Sequence, residues 1–258
     1  MKTLPTQKID EFKGLKLPSK IFYKGNINLL ERHKVSIVGS RRPSSYSKNL
    51  AFELAKKLSA QGVCIVSGAA MGIDAVAHKA AGSSNTIAVM GNSLDIIYPK
   101  VNRHLIKDIE ENSLVLSRFE PGFRATPWSF VLRNEMVVAL GEILIVAQAD
   151  IDSGSIRSAE IAKKQGKDIY VFPQRIKDSE GTNMLLKNQM AKAIYSIDEF
   201  VSYITKGDIK KDIIKDEFWQ FCSTFPRYEE ALRLYGDRVF EAELNGEIEV
   251  QNGVVYLC

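Results

Sequence analysis

The sequence predicts an α/β fold: a doubly wound, mainly parallel sheet, plus a small C-terminal winged-helix-like domain. Three observations predict it. Short apolar runs alternate with segments of helical periodicity, several of these runs end in glycine or small polar residues, and the C-terminal segment differs from the rest in pattern and charge. With 258 residues, 45% of them hydrophobic, the chain is long enough for one α/β core and a small appended domain.

Continuous apolar segments predict six buried strands. They are Val35–Val38, Val63–Val66, Thr86–Met90, Leu114–Leu116, Ile143–Ala147 and Asp168–Phe172. The strongest helical patterns between them are Leu50–Leu58, Trp128–Leu140 and Ile156–Gln165. This alternation is typical of right-handed βαβ units with helices on both faces of a parallel sheet. In such sheets, ligands bind outside the carboxyl ends of the strands.

Four segments are predicted along the chain. Residues 1–30 form an N-terminal lead-in packed on the core, 31–205 the α/β domain, 206–216 a charge-rich linker, and 217–258 an acidic winged-helix-like domain. In the last segment the predicted elements are helices Glu217–Phe225, Tyr228–Tyr235 and Arg238–Leu244, then a hairpin of Glu247–Val250 and Val254–Leu257 around Asn252-Gly253. Its core is predicted to contain Phe218, Trp219, Phe225, Tyr228 and Tyr235.

Composition argues against several classes of protein. No apolar run approaches the roughly 18 residues that span a bilayer, and the N-terminus lacks the apolar stretch of a signal peptide. The three cysteines, Cys64, Cys222 and Cys258, lie too far apart for a disulfide framework or a zinc site. We therefore expect a cytoplasmic protein with no membrane contact, no metal and no cofactor.

Charge is distributed unevenly around a formal net value of +4. From Asp208 onward, six Lys or Arg stand against eleven Asp or Glu, which gives −5 there and leaves +9 for residues 1–207. A basic body with an acidic C-terminal segment predicts that any polyanion binds the body. Solvated surface charge without a partner is the alternative.

The first candidate binding segment is the turn after the first predicted strand. Gly39, Ser40, Arg41 and Arg42 follow Val38, and helical spacing begins at Ser44. A strand, a glycine turn and a helix aim backbone N–H groups at an anion, and two arginines add planar phosphate donors. The turn matches neither G-x-G-x-x-G nor the P-loop motif.

Comparable residues follow other predicted strands, so a shared strand-end surface would collect them into one groove. The candidates are Ser67, Gly68, Gly72, Gly91, Asn92, Tyr98, Lys100, Arg133, Asn134, Ser153, Gly154 and Ser155. Of these, Arg133 and Asn134 lie within the helical pattern Trp128–Leu140 and would reach the groove from that helix, one for a phosphate and the other for a base edge or the backbone, although a surface arginine without a role is the alternative. Hydroxyls and N–H groups at the start of the helix after Ser153 suit an anion, although an ordinary capped helix needs the same residues. An aromatic beside a lysine suits a stacked base on a charged backbone, although a hydrophobic loop anchor explains Tyr98 and Lys100 as well.

Asp74 and His78 lie four residues apart and therefore share one helix face. An acid–base pair is one interpretation. A capping carboxylate with a histidine bonded inside the fold is the favoured alternative, because no nucleophile or metal ligand accompanies them in the sequence.

Taken together, these segments resemble the DprA (Smf) family of DNA-processing proteins. The ordered motifs are Tyr23-Lys-Gly-Asn26, Val38-Gly-Ser-Arg41, Ser67-Gly…Gly72-Ile-Asp74…His78, Thr86-Ile-Ala-Val89, Tyr98-Pro99…Asn102, Phe130…Arg133-Asn134, Ser153-Gly-Ser155, Phe172-Pro173 and Gly181-Thr-Asn183. The resemblance implies an extended Rossmann-like, single-stranded-DNA-binding domain over residues 31–205. It further implies a homodimer that protects incoming DNA in natural transformation, helps load a RecA-type recombinase and has no catalytic turnover.

Three positions depart from the family's pattern. Ala69 stands where a glycine is common, Met71 where a basic residue is frequent, and Glu135 where arginine is common.

The acidic residues of the third predicted C-terminal helix and wing repel phosphates, so residues 217–258 are expected not to bind DNA.

A related enzyme family offers the alternative function. The lysine-decarboxylase-like (LOG) phosphoribohydrolases carry Pro-Gly-Gly-x-Gly-Thr-x-x-Glu at a strand-to-helix turn, with the glutamate catalytic. Over Asp152–Glu160 of this chain only Gly154 and Glu160 match that motif. The enzyme would release free base from a nucleoside monophosphate.

Overall fold

The computed structural model describes residues 1–205, 217–222, 224–244, 248–251 and 253–257. The chain divides into two compact units, Met1–Thr205 and Lys206–Cys258. The predicted linker, 206–216, lies outside the described residues.

The first unit is built on a nine-stranded sheet. Its strands are β1 (Lys2–Pro5), β2 (Lys20–Gly25), β3 (Lys34–Val38), β4 (Cys64–Ser67), β5 (Thr86–Met90), β6 (Leu114–Ser117), β7 (Ile143–Val146), β8 (Ile169–Val171) and β9 (Lys192–Ala193). They lie in the order β1-β2-β6-β5-β4-β3-β7-β8-β9. All pairs from β6 to β9 are parallel, whereas β2 pairs antiparallel with both β1 and β6. The predicted mainly parallel α/β fold is confirmed.

Helices cover both faces of this sheet. They are α1 (Ser45–Ala60), α2 (Ile73–Ala81), α3 (Arg103–Asn112), α4 (Pro127–Leu140), α5 (Gly154–Lys164), α6 (Glu180–Lys187) and α7 (Ile197–Ile204). Leu54 and Leu58 of α1 pack with Val35 and Ile37 of β3 in one core cluster. Residues of α4 and α5 pack in a second cluster with Val38, Val66 and Val146. The central strands β3 to β6 are buried along their whole length and are mostly apolar, because helices cover both faces of the sheet there.

Three strands are not predicted from the sequence: β1, β2 and β9. In β2, Ile21 and Phe22 are buried while Lys20 and Gly25 are exposed. Such short strands near the sheet edges pair through the backbone and need no continuous apolar run, which is why the apolar pattern does not reveal them.

The second unit contains α8 (Glu217–Cys222), α9 (Tyr228–Tyr235), α10 (Asp237–Leu244) and an antiparallel pair, β10 (Ile248–Gln251) and β11 (Val254–Leu257). Its core includes Phe218, Cys222 and Val239. The prediction of a helix to Phe225 and of Phe225 in the core is wrong, because α8 ends at Cys222 and Phe225 is 60% exposed with a φ of 56°. Asn252 and the side chain of Trp219 lie outside the description, and the winged-helix assignment stays a prediction.

Candidate nucleic-acid interface

A groove of about 700 Å³ lies outside the carboxyl ends of β3 and β7. From β3 the chain proceeds through β4 and β5 in one direction, whereas β7 and β8 extend the sheet in the other. This reversal of strand order opens a crevice between the two loops, which is where open α/β sheets bind their ligands. The groove walls come from the Gly39–Arg42 turn, the first half of α4 and the start of α5.

The arginine turn is held in place by its backbone. Ser40 N–H donates to the Gln148 carbonyl at 2.8 Å, and Ser44 N–H donates to Gln148 Oε1 at 2.8 Å. Ile73 N–H, at the start of α2, donates to the Ser40 carbonyl at 3.1 Å. Ser44 caps α1 through its side chain. The turn is therefore fixed between β7 and α2, while the side chains of Arg41 and Arg42 are exposed at the groove.

Helix α4 supplies the aromatic part of the groove. It begins at Pro127 because Thr126 and Ser129 form a capping box and proline suits the first helical position. The Phe130 ring lies 5.4 Å from Arg41 Cζ and 5.7 Å from Arg133 Cζ, which is cation–π range for both. Tyr98 lies with its ring centroid 5.9 Å from that of Phe130. Two guanidiniums, those of Arg41 and Arg133, thus meet two aromatic rings at one wall of the groove.

The loop between β4 and α2 supports this wall from inside the fold. The Asp74 carboxylate accepts from Gly68 N–H at 3.2 Å and Ala70 N–H at 3.4 Å. Asn102 Nδ2 donates to the carbonyls of Ala69 and Ala70 at 3.0 Å each. These loop N–H groups are occupied, so we expect the loop to shape the groove without binding phosphate itself.

Arg133 and Ser67 also form hydrogen bonds inside the fold. Arg133 is 5% exposed, and its guanidinium donates to the carbonyls of Gly68 and Val89. Ser67 Oγ donates to the Ile37 carbonyl at 2.6 Å. Burial lowers the pKa of Arg133, and the nearby Asp74 opposes this. We expect Arg133 to act as a buried charge beneath the groove, with most of its donors already used.

His78 is bonded on both ring nitrogens. Nε2 accepts from Ala69 N–H at 3.3 Å, and Nδ1 lies 2.6 Å from Thr86 Oγ1. Thr86 donates its own proton to the Ile65 carbonyl at 2.7 Å, so Nδ1 is the donor and the ring is neutral. Burial lowers the pKa of His78 to about 3, and it raises the pKa of Asp74. Both side chains hold the β4–α2 loop. The prediction of a histidine bonded inside the fold is confirmed, whereas the prediction that Asp74 caps the helix is wrong, because α2 has no side-chain cap and the Asp74 carboxylate accepts from N–H groups of the preceding loop.

This neutral histidine predicts a pH dependence of stability. The pKa of His78 is about 3 in the folded state and near 6.5 in the unfolded state. Between these two pH values the unfolded state binds more protons than the folded state, so the free energy of unfolding falls as pH falls from about 6.5 toward 3. The free energy of unfolding in urea is expected to drop by about 2 kcal/mol more from pH 7 to pH 5 in the wild type than in His78→Gln. Parallel pH profiles of the two proteins would contradict this assignment.

Helix α5 forms the opposite wall. Ser153 caps it by accepting from Ile156 N–H at 3.4 Å, and Asn134 Nδ2 donates to the Gly154 carbonyl at 3.4 Å. Asn134 Oδ1 in turn accepts from Arg133 Nε at 3.0 Å, so it links the two walls. Arg157, in the first turns of α5, is exposed and lines the groove.

The structure brings ten of the sixteen predicted residues to this groove. They are Gly39, Ser40, Arg41, Arg42, Tyr98, Arg133, Asn134, Ser153, Gly154 and Ser155. Gly68, Gly91 and Asn92 line a small adjoining pocket. Ser67 is buried, Gly72 packs under the arginine turn and Lys100 is exposed, and none of the three lines either cavity.

Among the groove residues that are absent from the predicted set, Phe130 supplies an aromatic ring and Arg157 an exposed cation. Phe130 lies four positions before Asn134 on one helix, and Arg157 lies three positions after Gly154, so helical spacing from the predicted residues points to both. The departure at Glu135 is explained by a neighbour: its carboxylate lies 3.7 Å from Arg118 Nη1, and Glu135 does not line the groove.

Among the described residues, no helix has the length and apolar character needed to cross a membrane, and no cluster of His, Cys, Asp or Glu has metal-binding geometry.

Comparison with known proteins identifies the family to which the first unit of the chain is similar. The DNA recombination-mediator protein A family matches residues 6–205. DNA processing protein DprA of Streptococcus pneumoniae is 40% identical over 174 residues, which cover 66% of this chain and 61% of that protein. The Bacillus subtilis DprA is 32% identical over 197 residues, covering 75% and 66% respectively. The match therefore spans about two thirds of these relatives' length.

Solved structures agree in fold. The structure of DNA processing protein A from Helicobacter pylori, described for its single-stranded DNA binding mode, has a TM-score of 0.76 and 40% identity, and covers 80% of this chain and 94% of that one. The Streptococcus pneumoniae DprA structure has a TM-score of 0.67 and 37% identity, with 72% and 66% covered. The chain belongs to the DNA recombination-mediator protein A (DprA/Smf) family.

Proposed function

We propose that this chain binds single-stranded DNA in the strand-end groove and acts as a recombination mediator. The observation that carries the proposal is the convergence of exposed Arg41, Arg42 and Arg157 with the Phe130 and Tyr98 rings at the point where strand order reverses. Proteins usually bind single strands with two kinds of group: cations along the phosphate backbone, and aromatic rings on which the bases stack. The Helicobacter pylori relative, with its single-stranded DNA binding mode, supports the same ligand.

The groove assigns separate roles to its two kinds of residue. The guanidiniums of Arg41 and Arg42 on one side and Arg157 on the other contact phosphates, since guanidinium forms bidentate, charge-assisted bonds to them. Phe130 and Tyr98 offer ring surface to unstacked bases. Such contacts tolerate any sequence, because every base has a π-face and every nucleotide a phosphate.

Further parts of the proposal rest on the family resemblance. The protein protects incoming DNA during natural transformation, helps load a RecA-type recombinase, and acts as a cytoplasmic homodimer. A dimer of two basic first units would present two grooves, and a strand that contacts both grooves would bind with higher avidity. Solution mass measured with and without DNA tests the dimer, and a monomer under both conditions at micromolar concentration would exclude it.

We propose further that the protein has no catalytic turnover. The nucleotide-processing alternative needs a glutamate in the groove, and Glu160, the only matching candidate, is exposed on α5 and does not line it. Asp74 and Asp150 are the acids among the described lining residues, and Asp74 is committed to backbone N–H groups. Release of free base from a nucleoside monophosphate would establish the alternative function.

The direct test is fluorescence anisotropy with a labelled oligonucleotide of mixed sequence. The full chain is expected to bind the single strand, and an unlabelled single strand of unrelated sequence is expected to compete equally well. No binding at low salt, or displacement by one short sequence alone, would overturn the proposal.

Removal of the C-terminal unit is expected to leave this binding nearly intact. In that unit, Asp237, Glu241, Glu243 and Glu249 are exposed and repel phosphates. A chain ending at Lys206 should bind the oligonucleotide within a few-fold of the full-length affinity. Loss of binding by a truncated chain that melts cooperatively would assign DNA contacts to residues 207–258.

A further inference from the structure

A small pocket adjoins the groove at the aromatic wall. Its volume is about 30 Å³, and it shares Arg41, Tyr98 and Phe130 with the groove. Met71 and Asn92 are among its other lining residues. A volume of this size holds a water molecule or the edge of a single ring.

Asn92, a polar residue of this pocket, has a side-chain hydrogen-bond acceptor that is not used. It is 1% exposed, and its Nδ2 donates to the carbonyl of Ser93 at 2.8 Å and to that of Ile96. Its Oδ1 is buried and meets no hydrogen-bond donor among the described residues. The orientation of the amide is fixed, because the reverse orientation would place Oδ1 against two carbonyl oxygens.

An unmet acceptor of this kind is unusual in the described part of the chain. The one other buried side-chain atom there without a hydrogen-bond partner is Arg118 Nη1, which has the Glu135 carboxylate 3.7 Å away. Leaving a buried acceptor unpaired costs about 1–3 kcal/mol, so native proteins retain such groups chiefly where a ligand or a fixed water pairs with them.

We propose that Asn92 is the recognition group of a base subsite: its Oδ1 accepts a hydrogen bond from an N–H on the Watson–Crick edge of one nucleobase of the bound strand. This inference rests on the proposed binding of single-stranded DNA in the groove. A base that stacks at Phe130 or Tyr98 is adjacent to the pocket because both rings line it.

The rim of the pocket is able to admit such a base edge. Met71 and Tyr98 are 45% and 44% exposed, so rotation of either side chain widens the opening without disturbing the core. The floor stays fixed, since Asn102 and Asp74 hold the β4–α2 loop on that side. The base edge then replaces any water at Oδ1.

The subsite is compatible with indifference to sequence. Thymine and guanine carry a ring N–H, and adenine and cytosine carry an amino group, so each base offers a donor to a single acceptor. The subsite therefore selects for an unpaired base with a free Watson–Crick edge. This excludes duplex DNA, in which that edge is already paired.

A thymine analogue without the donor tests the proposal. Difluorotoluene has the shape of thymine but has C–H in place of N3–H, so its oligomer keeps the phosphates and the ring stacking. Wild-type protein is expected to bind this oligomer about 3- to 10-fold more weakly than oligo(dT), the net value of one hydrogen bond. In Asn92→Leu the two oligomers are expected to bind within twofold of each other, with the melting temperature reporting that the variant is folded.

Each outcome has a distinct meaning. If wild-type protein binds neither oligomer, the proposed function fails. If it binds both equally, or if the preference survives in Asn92→Leu, the subsite fails while the groove stands. Should Asn92→Leu not fold, a crystal structure of the wild type with oligo(dT) decides. A base nitrogen within 3.2 Å of Oδ1 supports the subsite, by the usual hydrogen-bond criterion of roughly 2.7–3.2 Å, and a fixed water alone there overturns it.

Discussion

Replacement of Arg41 by alanine is expected to weaken single-strand binding by about 1.5–3 kcal/mol, the range for a hydrogen bond to a charged group. Arg41 is exposed, its backbone is fixed by the neighbouring Ser40, and its guanidinium lies over Phe130. The melting temperature is expected to change little, because the side chain supports no core contact. Anisotropy titration of a labelled oligonucleotide measures the effect.

Two variants control this result. Lys164→Ala removes the same charge from an exposed site at the far end of α5 and is expected to bind normally. Arg41→Lys keeps the charge but loses the planar fork, so it is expected to restore only part of the affinity. Equal affinity of Arg41→Ala and wild type, at both low and moderate salt, would remove Arg41 from the site.

Replacement of Gly72 by alanine is expected to cost stability and DNA affinity together. Gly72 has a φ of 81°, and a Cβ there would overlap the Ser40 carbonyl oxygen and lie 2.7 Å from Arg41 Cα. Strain and displacement of the arginine turn are expected to lower the free energy of unfolding by about 3–5 kcal/mol. Affinity for the oligonucleotide is expected to fall by roughly tenfold or more, because phosphate contacts need fixed geometry.

Gly82→Ala is the matched control for that prediction. Gly82 has a φ of 78°, yet a Cβ there would have no atom within 4 Å. It is expected to lose only about 1–3 kcal/mol from backbone strain and to keep its DNA affinity. If the two variants bound DNA equally well, the arginine turn would not depend on Gly72 for its position.

The sequence predicts the position of the groove better than the role of each residue in it. The apolar run before Gly39 and the helical spacing after Ser44 are local signals, and a parallel sheet brings such strand ends together by necessity. Two N–H groups of the Ser67–Gly72 loop are occupied by Asp74, which lies next to the loop in the chain, and two loop carbonyls are occupied by Asn102, which reaches them only through tertiary packing. Residue type alone does not distinguish a loop N–H group that faces an anion from one that faces a carboxylate.

Arg133 and Asn92 show the same limit. Arginine at a strand-end surface suggests a phosphate contact, but Arg133 turns inward to two backbone carbonyls. The position of Asn92 after Gly91 predicts a DNA-binding residue but not which of its atoms is available. The structure shows this, because Nδ2 donates two hydrogen bonds to backbone carbonyls and Oδ1 has no partner among the described residues. Phe130 was missed as a site residue because an apolar residue in a helix is usually core.

The salt dependence of binding tests the groove most directly. For single strands, log K falls with log salt by about 0.7 for each phosphate neutralised. A phosphate-binding groove is expected to give a steep negative slope for the wild type, and a slope shallower by about 0.7 for each of Arg41→Ala, Arg42→Ala and Arg157→Ala. Lys164→Ala is expected to keep the wild-type slope. A flat wild-type titration, or slopes unchanged by removal of the three groove arginines, would contradict a phosphate-binding groove at the ends of β3 and β7.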